Sequence, residues 1–268
     1  MKRMLLVFAH PDDESFAVGG TVAKYVRAGW QADLICATLG EAGSKGPYAN
    51  ATTDTLGSIR RKELEAAGTT LGISTLTFLG YADGKLASQN SGELEDPVYK
   101  KMHELKPDVV ITYDTTGVSN HPDHIRMSYV ATYAYQKYVK VREAYPQNRQ
   151  EWSLEDAQGV KGEPKLYYAC VPQSAADYLK IRKIIPVESF GKPWTGTPDK
   201  YVTTVIDIKR FSGLKVKALC KHATQKEDVD RFLSLPTNPM LRQEYFILRM
   251  RGTHEVFMGK NDRVADRL

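Results

Sequence analysis

Apolar runs of strand length alternate along the chain with segments whose apolar residues recur at helical spacing. "RMLLVFA" (3–9), "ADLICATL" (32–39), "TLTFLG" (75–80) and "DVVITY" (108–113) read as buried strands. Between them, helices are predicted over about 15–28, ending near Gly29, over 56–72 with Thr55 or Ser58 as the cap, and over about 96–105. A further helix begins around Asn120. This rhythm predicts an α/β fold: a Rossmann-like, mainly parallel sheet with helices on both faces. Two covered faces also explain strands that are nearly all apolar instead of alternating. After Tyr138 the pattern lapses, and residues 140–165 read as a polar, turn-rich surface excursion. Strands resume at 166–171 and 201–207, and 208–225 reads as one helix. The expected organisation is a single domain over 1–268, with its core at about 1–138 and 165–225 and a C-terminal extension.

Composition narrows the function classes. Hydrophobic residues make up 42% and charged residues 26%, ordinary for a folded soluble protein. The net charge of +5 is dispersed, without the like-charge blocks of a nucleic-acid binder, so no nucleic-acid partner is expected. Cys36, Cys170 and Cys220 are an odd set without CxxC spacing, which suggests a reducing compartment over a disulfide scaffold. The start "MKRMLLVFAHPDDE" mimics a signal peptide only until the histidine and acids interrupt it. No window approaches a membrane span, so the expectation is a cytoplasmic protein with no membrane partner.

Candidate chemistry concentrates at two strand ends. "FAHPDDESFAVGG" (8–20) puts His10, Asp12, Asp13 and Glu14 after the first strand, where a dinucleotide site would need GxGxxG. Clustered acids there repel a pyrophosphate and attract a cation; an imidazole with a carboxylate suits zinc or a similar ion. Helix capping by Asp12 or Asp13 is the alternative. A second cluster, "NHPDH" (120–124), stands at another strand-to-helix junction, with Asn120 as a potential cap. His121 and His124 fall on one side of a helical turn. His124 with His10 and Asp13 makes a two-His, one-carboxylate set that leaves a coordination position open, the pattern of a catalytic zinc. His103, His222 and His254 lack such a context. Asp83 and Glu41, in loops after predicted strands, either reach the cleft or only form turns.

"AHPDDE" and "HPDH" together resemble the PIG-L/LmbE-like family of zinc-dependent N-deacetylases. "TLGEAG" (38–43), "IRRKELEAAGTTLGI" (59–73), "LGYADGKL" (79–86) and "KALCKHATQ" (217–225) are similar to further family blocks in the family's order. Two departures are visible: "GVSNHPDH" where the family often has GGxGHPDH, and "YADG" where YPDG is commoner. The resemblance implies one Zn2+ per chain held by His10, Asp13 and His124, with Asp12 as general base. It implies His121, protonated, as oxyanion stabiliser and Arg60 as a substrate contact. An i,i+3 bridge from Arg60 to Glu63 is the competing reading of that arginine. Asp123 would orient an imidazole or cap the helix, and Glu14 would stand behind the ligands or favour the helix dipole. The implied partner is a small N-acetylated sugar, with a phosphatidylinositol-linked sugar disfavoured because no membrane segment precedes the domain. Homo-oligomers are common in the family and stand among the expectations. The alternatives are a related amidase of another N-acyl or thiol-conjugate substrate, and a non-catalytic metal-binding domain.

Overall fold

A computed structural model of the chain describes residues 1–144, 163–256 and 265–268. Strands β1 (Arg3–Phe8), β2 (Gln31–Cys36), β3 (Thr75–Phe78), β4 (Val109–Tyr113) and β5 (Lys165–Cys170) pair in parallel in the order β3-β2-β1-β4-β5. Helices α1 (Asp13–Arg27), α2 (Thr53–Leu71) and α3 (Glu95–Leu105) make the crossovers. A helical turn α4 (Gly117–Asn120) leads into the long α5 (Pro122–Ala144). Burial on both faces is complete in the middle of the sheet: Leu5, Leu6, Val7, Ile35, Val110 and Ile111 have no exposed surface. Helix α2 starts one turn earlier than its apolar pattern suggests, because Thr52, not Thr55 or Ser58, is the cap and accepts Thr55 N–H. It stops where Gly72 takes the left-handed conformation at φ 83°.

The C-terminal half departs from the sequence reading. After α6 (Gln173–Ile181) and a small hairpin of β6 (Glu188–Ser189) and β7 (Lys192–Pro193), β8 (Thr204–Asp207) pairs antiparallel to β9 (Gln243–Arg251). Strand β9 runs antiparallel along β5 and carries Phe246 and Met250 into the main core, so the core continues past residue 225. The short β10 (His254–Glu255) completes the eight-stranded sheet. The predicted helix 208–225 is shorter: α7 spans Ser212–Leu219, and a separate 3-10 turn covers Ala223–Gln225. Its continuation is broken by partners from elsewhere: Glu63 accepts Thr224 N–H and the Thr224 hydroxyl, and Glu14 holds His222. Helix α8 (Lys226–Leu233) follows. Most of the predicted polar excursion at 140–165 lies outside the described residues: α5 runs through its start and β5 begins at its end.

A buried ion pair ties these halves together. Lys215 on α7 and Glu244 on β9 have fully buried side chains 2.6 Å apart. Glu244 accepts the N–H groups of Gly20 and Thr21 in α1, and Lys215 donates to Phe16 O. The pair therefore clamps the helix whose N-terminus bears Asp13. Among the described residues, no helix is long and apolar enough to cross a membrane.

Candidate active site

The strand order reverses between β1 and β4, which opens the crevice that α/β sheets use for ligands at their strand tips. His10 emerges from β1, and His121 and His124 emerge from β4 through α4. There the atoms His10 Nδ1 and His124 Nε2 face each other at 3.0 Å. The Asp13 carboxylate reaches both, 3.3 Å from His124 Nε2 and 3.7 Å from His10 Nδ1. Ligands at zinc bond lengths of about 2.0–2.2 Å in a tetrahedron sit about 3.3 Å from one another, so this spacing fits one divalent ion. The His124 Nδ1–H donates to Gly117 O at 3.1 Å, which turns the Nε2 lone pair toward the same centre.

Burial, which disfavours charge, brings the His124 pKa down to about 4 against the pull of Asp13. Burial also opposes charge on His10, but hydrogen bonds from its ring to Asp123 and Asp83 and the Asp13 charge outweigh it and raise its pKa to about 10. The cluster attracts positive charge. Asp13 is held low despite burial by His124, His10 and the Tyr113 hydroxyl. On the far side of His10, Nε2 lies 2.9 Å from Asp83 and 3.3 Å from Asp123. Asp123 does not cap its helix by itself: its two oxygens accept Gly84 N–H and Leu86 N–H, tying the loop after β3 to His10. Asp83 accepts Ala42 N–H and is brought down to about 2, since the His10 hydrogen bond and charge overcome the burial that would raise it. The ligand atoms of His10, His121 and His124 also lie within 4.8 Å of one another. Those of His10, Asp83 and Asp123 do so as well, on the other ring nitrogen of His10; what distinguishes Asp13 is that it approaches both His10 Nδ1 and His124 Nε2.

Asp12 occupies the N-cap position of α1 but its side chain makes no capping bond. Its backbone is strained, at φ 124° and ψ −27°, a conformation costly for any residue but glycine. The strain aims the carboxylate at Arg60 Nη2, 3.2 Å away, and leaves it unbonded to the histidines. Burial raises the Asp12 pKa, with Arg60 opposing and Asp13 adding, to about 7. Arg60 itself is only 4% exposed. It donates to Gly40 O and Pro11 O as well as to Asp12, so the contacts it makes are with the walls of the site. It makes no bridge to Glu63, whose carboxylate is taken by Thr224. The glycines of "TLGEAG" make room for it: a Cβ on Gly40 would come within 2.5 Å of Arg60 Cζ. Glu14 accepts Asp12 N–H and lies 3.0 Å from His222 Nε2.

His121 accepts Asp123 N–H at Nδ1, which leaves its proton on Nε2. Burial and the His10 charge hold its pKa below the ordinary value. The bond from Asp123 N–H suits a ring that donates through Nε2, where the resemblance implies a fully protonated one. The loop before it carries the first departure from the family pattern. Val118 and Asn120 have φ 62° and 61°, left-handed values, at the two places where the resemblance leads one to expect glycine. Asn120 does not cap α5; its side-chain amide donates to Pro193 O.

Sequence reading misses two participants, Tyr113 and His222, and leaves Asp83 open between cleft and turn. Tyr113, the last residue of β4, donates to Asp13 Oδ2 at 2.5 Å, accepts Ala9 N–H, and stacks on His124 at 4.3 Å. Asp83 reaches His10 Nε2 in the cleft, and His222 is buried against Glu14. For Tyr113 the available signal was its place at a strand tip beside the HPDH motif.

The family model described as "PIG-L: GlcNAc-PI de-N-acetylase" matches residues 5–135. A 1D-myo-inositol 2-acetamido-2-deoxy-alpha-D-glucopyranoside deacetylase from Rhodococcus erythropolis is 32% identical, over 92% of this chain and 90% of the relative. Among solved structures, the N,N'-diacetylchitobiose deacetylase of Pyrococcus horikoshii aligns with a TM-score of 0.64 at 22% identity, covering 97% of this chain and 88% of that one. A 4-carboxy-2-hydroxymuconate hydratase from Pseudomonas putida aligns with the same TM-score, 0.64, at 17% identity over 96% of this chain and all of the other, so the fold alone does not dictate the reaction. Sequence similarity over nine-tenths of the chain does, and the chain belongs to the PIG-L/LmbE-like family of deacetylases, enzymes that hydrolyse an N-acetyl amide.

Proposed function

We propose that the protein is a zinc-dependent N-deacetylase that releases acetate from an N-acetylglucosamine-bearing small molecule, with an N-acetylglucosaminyl inositol as its nearest substrate type. The convergence of His10 Nδ1, His124 Nε2 and Asp13 on one centre, with Asp12 beside them and uncoordinated, carries this reading. The substrate class rests on relatives about a third identical whose names specify that sugar–inositol acetamide.

His10, Asp13 and His124 would hold the zinc ion, which would supply Lewis acidity toward the amide carbonyl and an attacking water. Asp12 takes the proton of the attacking water, a role its raised pKa suits. The His121 Nε2–H donates to the oxygen on which negative charge develops; such a donor is worth about 10²–10³ in rate. Because His121 Nδ1 is occupied by Asp123 N–H, Asp12 is also the better shuttle to return the proton to the departing amine. Asp83 and Asp123 hold the His10 ring in its orientation, and Arg60 with Glu14 holds the strained Asp12 backbone and carboxylate in place. The test is Asp12→Asn. Amine release from N-acetylglucosaminyl inositol should fall by about 10²–10⁴ while the protein still binds zinc. Undiminished turnover in that variant refutes the assignment.

A further inference from the structure

The hairpin of β6 and β7 is closed by Phe190 and Gly191 alone. Both have positive φ, 52° and 71°. A two-residue loop with that backbone favours Asn or Gly at its first place, since larger side chains crowd the chain there. Phenylalanine is an outlier in such a position. It gains little packing in return, for the residue is 56% exposed. A local rule broken without a gain inside the fold marks a position shaped by something outside it.

The ring's surroundings say what that is. Phe190 meets His121 edge to face, with centroids 4.5 Å apart and planes at 67°. His121 in turn meets His10 at 4.7 Å, so Phe190 stands one ring away from the proposed metal ligands. The hairpin is fastened to the loop that bears His121: Asn120 donates to Pro193 O at 3.1 Å, and Trp194 Nε1–H donates to Val118 O. An open aromatic face is thereby held at the rim of the crevice, at a set position relative to the reacting centre.

We propose that Phe190 is a sugar platform, its exposed ring stacking on the C–H face of the pyranose whose acetamide reacts below. Ring oxygens leave pyranose C–H hydrogens partly positive, and the aromatic face is the negative part of the quadrupole. The proposal deepens the deacetylase reading and rests on it. It restricts the substrate class to acetamides carried on a pyranose, in preference to those on flexible chains.

Phe190→Asn separates this role from a structural one, because asparagine suits the turn better. With N-acetylglucosaminyl inositol, KM should rise about tenfold. In the same variant kcat should stay within about twofold, and the melting temperature should hold or rise. Phe190→Tyr, which keeps the ring face, should leave KM within about twofold of wild type. An unchanged KM in Phe190→Asn, or an equal rise in Phe190→Tyr, overturns the proposal. Wild type that releases no amine from this sugar overturns the deacetylase reading and the platform together. Wild-type turnover with indifferent variants overturns the platform alone.

Discussion

Replacing Tyr113 by phenylalanine removes one oxygen atom and two hydrogen bonds at the base of the site. The hydroxyl is buried, donates to Asp13 Oδ2 at 2.5 Å and accepts Ala9 N–H at 2.7 Å. The phenyl ring that remains keeps its stack on His124 and its edge contact with Phe8, so packing is preserved. Ala9 N–H is left without a partner in the core, at about 1–3 kcal/mol, and Asp13 loses a charge-assisted bond of about 1.5–3 kcal/mol. Because one hydroxyl serves both, the two losses overlap, and a net cost of about 2–4 kcal/mol follows. For a chain of this length that is a fall in melting temperature of roughly 5–15 °C. Asp13 Oδ2 loses one of the two hydrogen bonds that fix the carboxylate's rotation and keeps that from His10 N–H, so zinc affinity should fall about 10- to 100-fold. Urea unfolding of the chelator-treated protein reads the first effect, and competition with a chromophoric zinc chelator reads the second. A variant that unfolds within about 0.5 kcal/mol of wild type and holds zinc as tightly refutes the role given to Tyr113.

Lys215→Met strands the Glu244 charge in the core and should cost about 3–5 kcal/mol in urea unfolding, while adding Glu244→Gln should recover part of that loss; a single variant as stable as wild type contradicts the clamp on α1. Burial disfavours the His222 cation, but the Glu14 charge and hydrogen bond outweigh it and raise its pKa, so the folded chain binds that proton more tightly than the unfolded one. Wild type should therefore exceed His222→Gln in stability most at pH values below 6.5, and the advantage should shrink as pH rises through the raised folded value. An advantage that grows with pH, measured by urea midpoints in metal-free protein at about pH 6 and about pH 9, has the wrong sign for this pair.

The first half of the chain is readable because β1, β2 and β4 are covered on both faces, which makes them largely apolar, and they stand close to where their patterns begin and stop. Strand β9 was not: "QEYFILRMR" buries only some of its positions and carries two arginines, so no simple period marks it. The break after α7 was hidden for a different reason. Its residues have helical periodicity, and the carboxylates that capture His222 and Thr224 come from α1 and α2, far away in sequence. At the site, the paired HPD motifs announced themselves by recurring at two strand ends. Tyr113 and Asp83 did not, because a tyrosine ending a strand and an aspartate in a turn are ordinary by themselves; only their distances to Asp13 and His10 distinguish them. The Asp12 side chain shows the converse. Its residue type allowed capping, and the strained backbone that turns it to Arg60 is a property of the folded loop.

The central claim is that one zinc ion, held by His10, Asp13 and His124, is required for amide hydrolysis. It is tested most directly by titrating chelator-stripped protein with zinc while amine release from N-acetylglucosaminyl inositol is followed in parallel. The account expects saturation at one ion per chain, turnover that rises in step with occupancy, and loss of the tight site in His124→Ala. Full turnover in the stripped protein, or an unaltered tight site in His124→Ala, would contradict it.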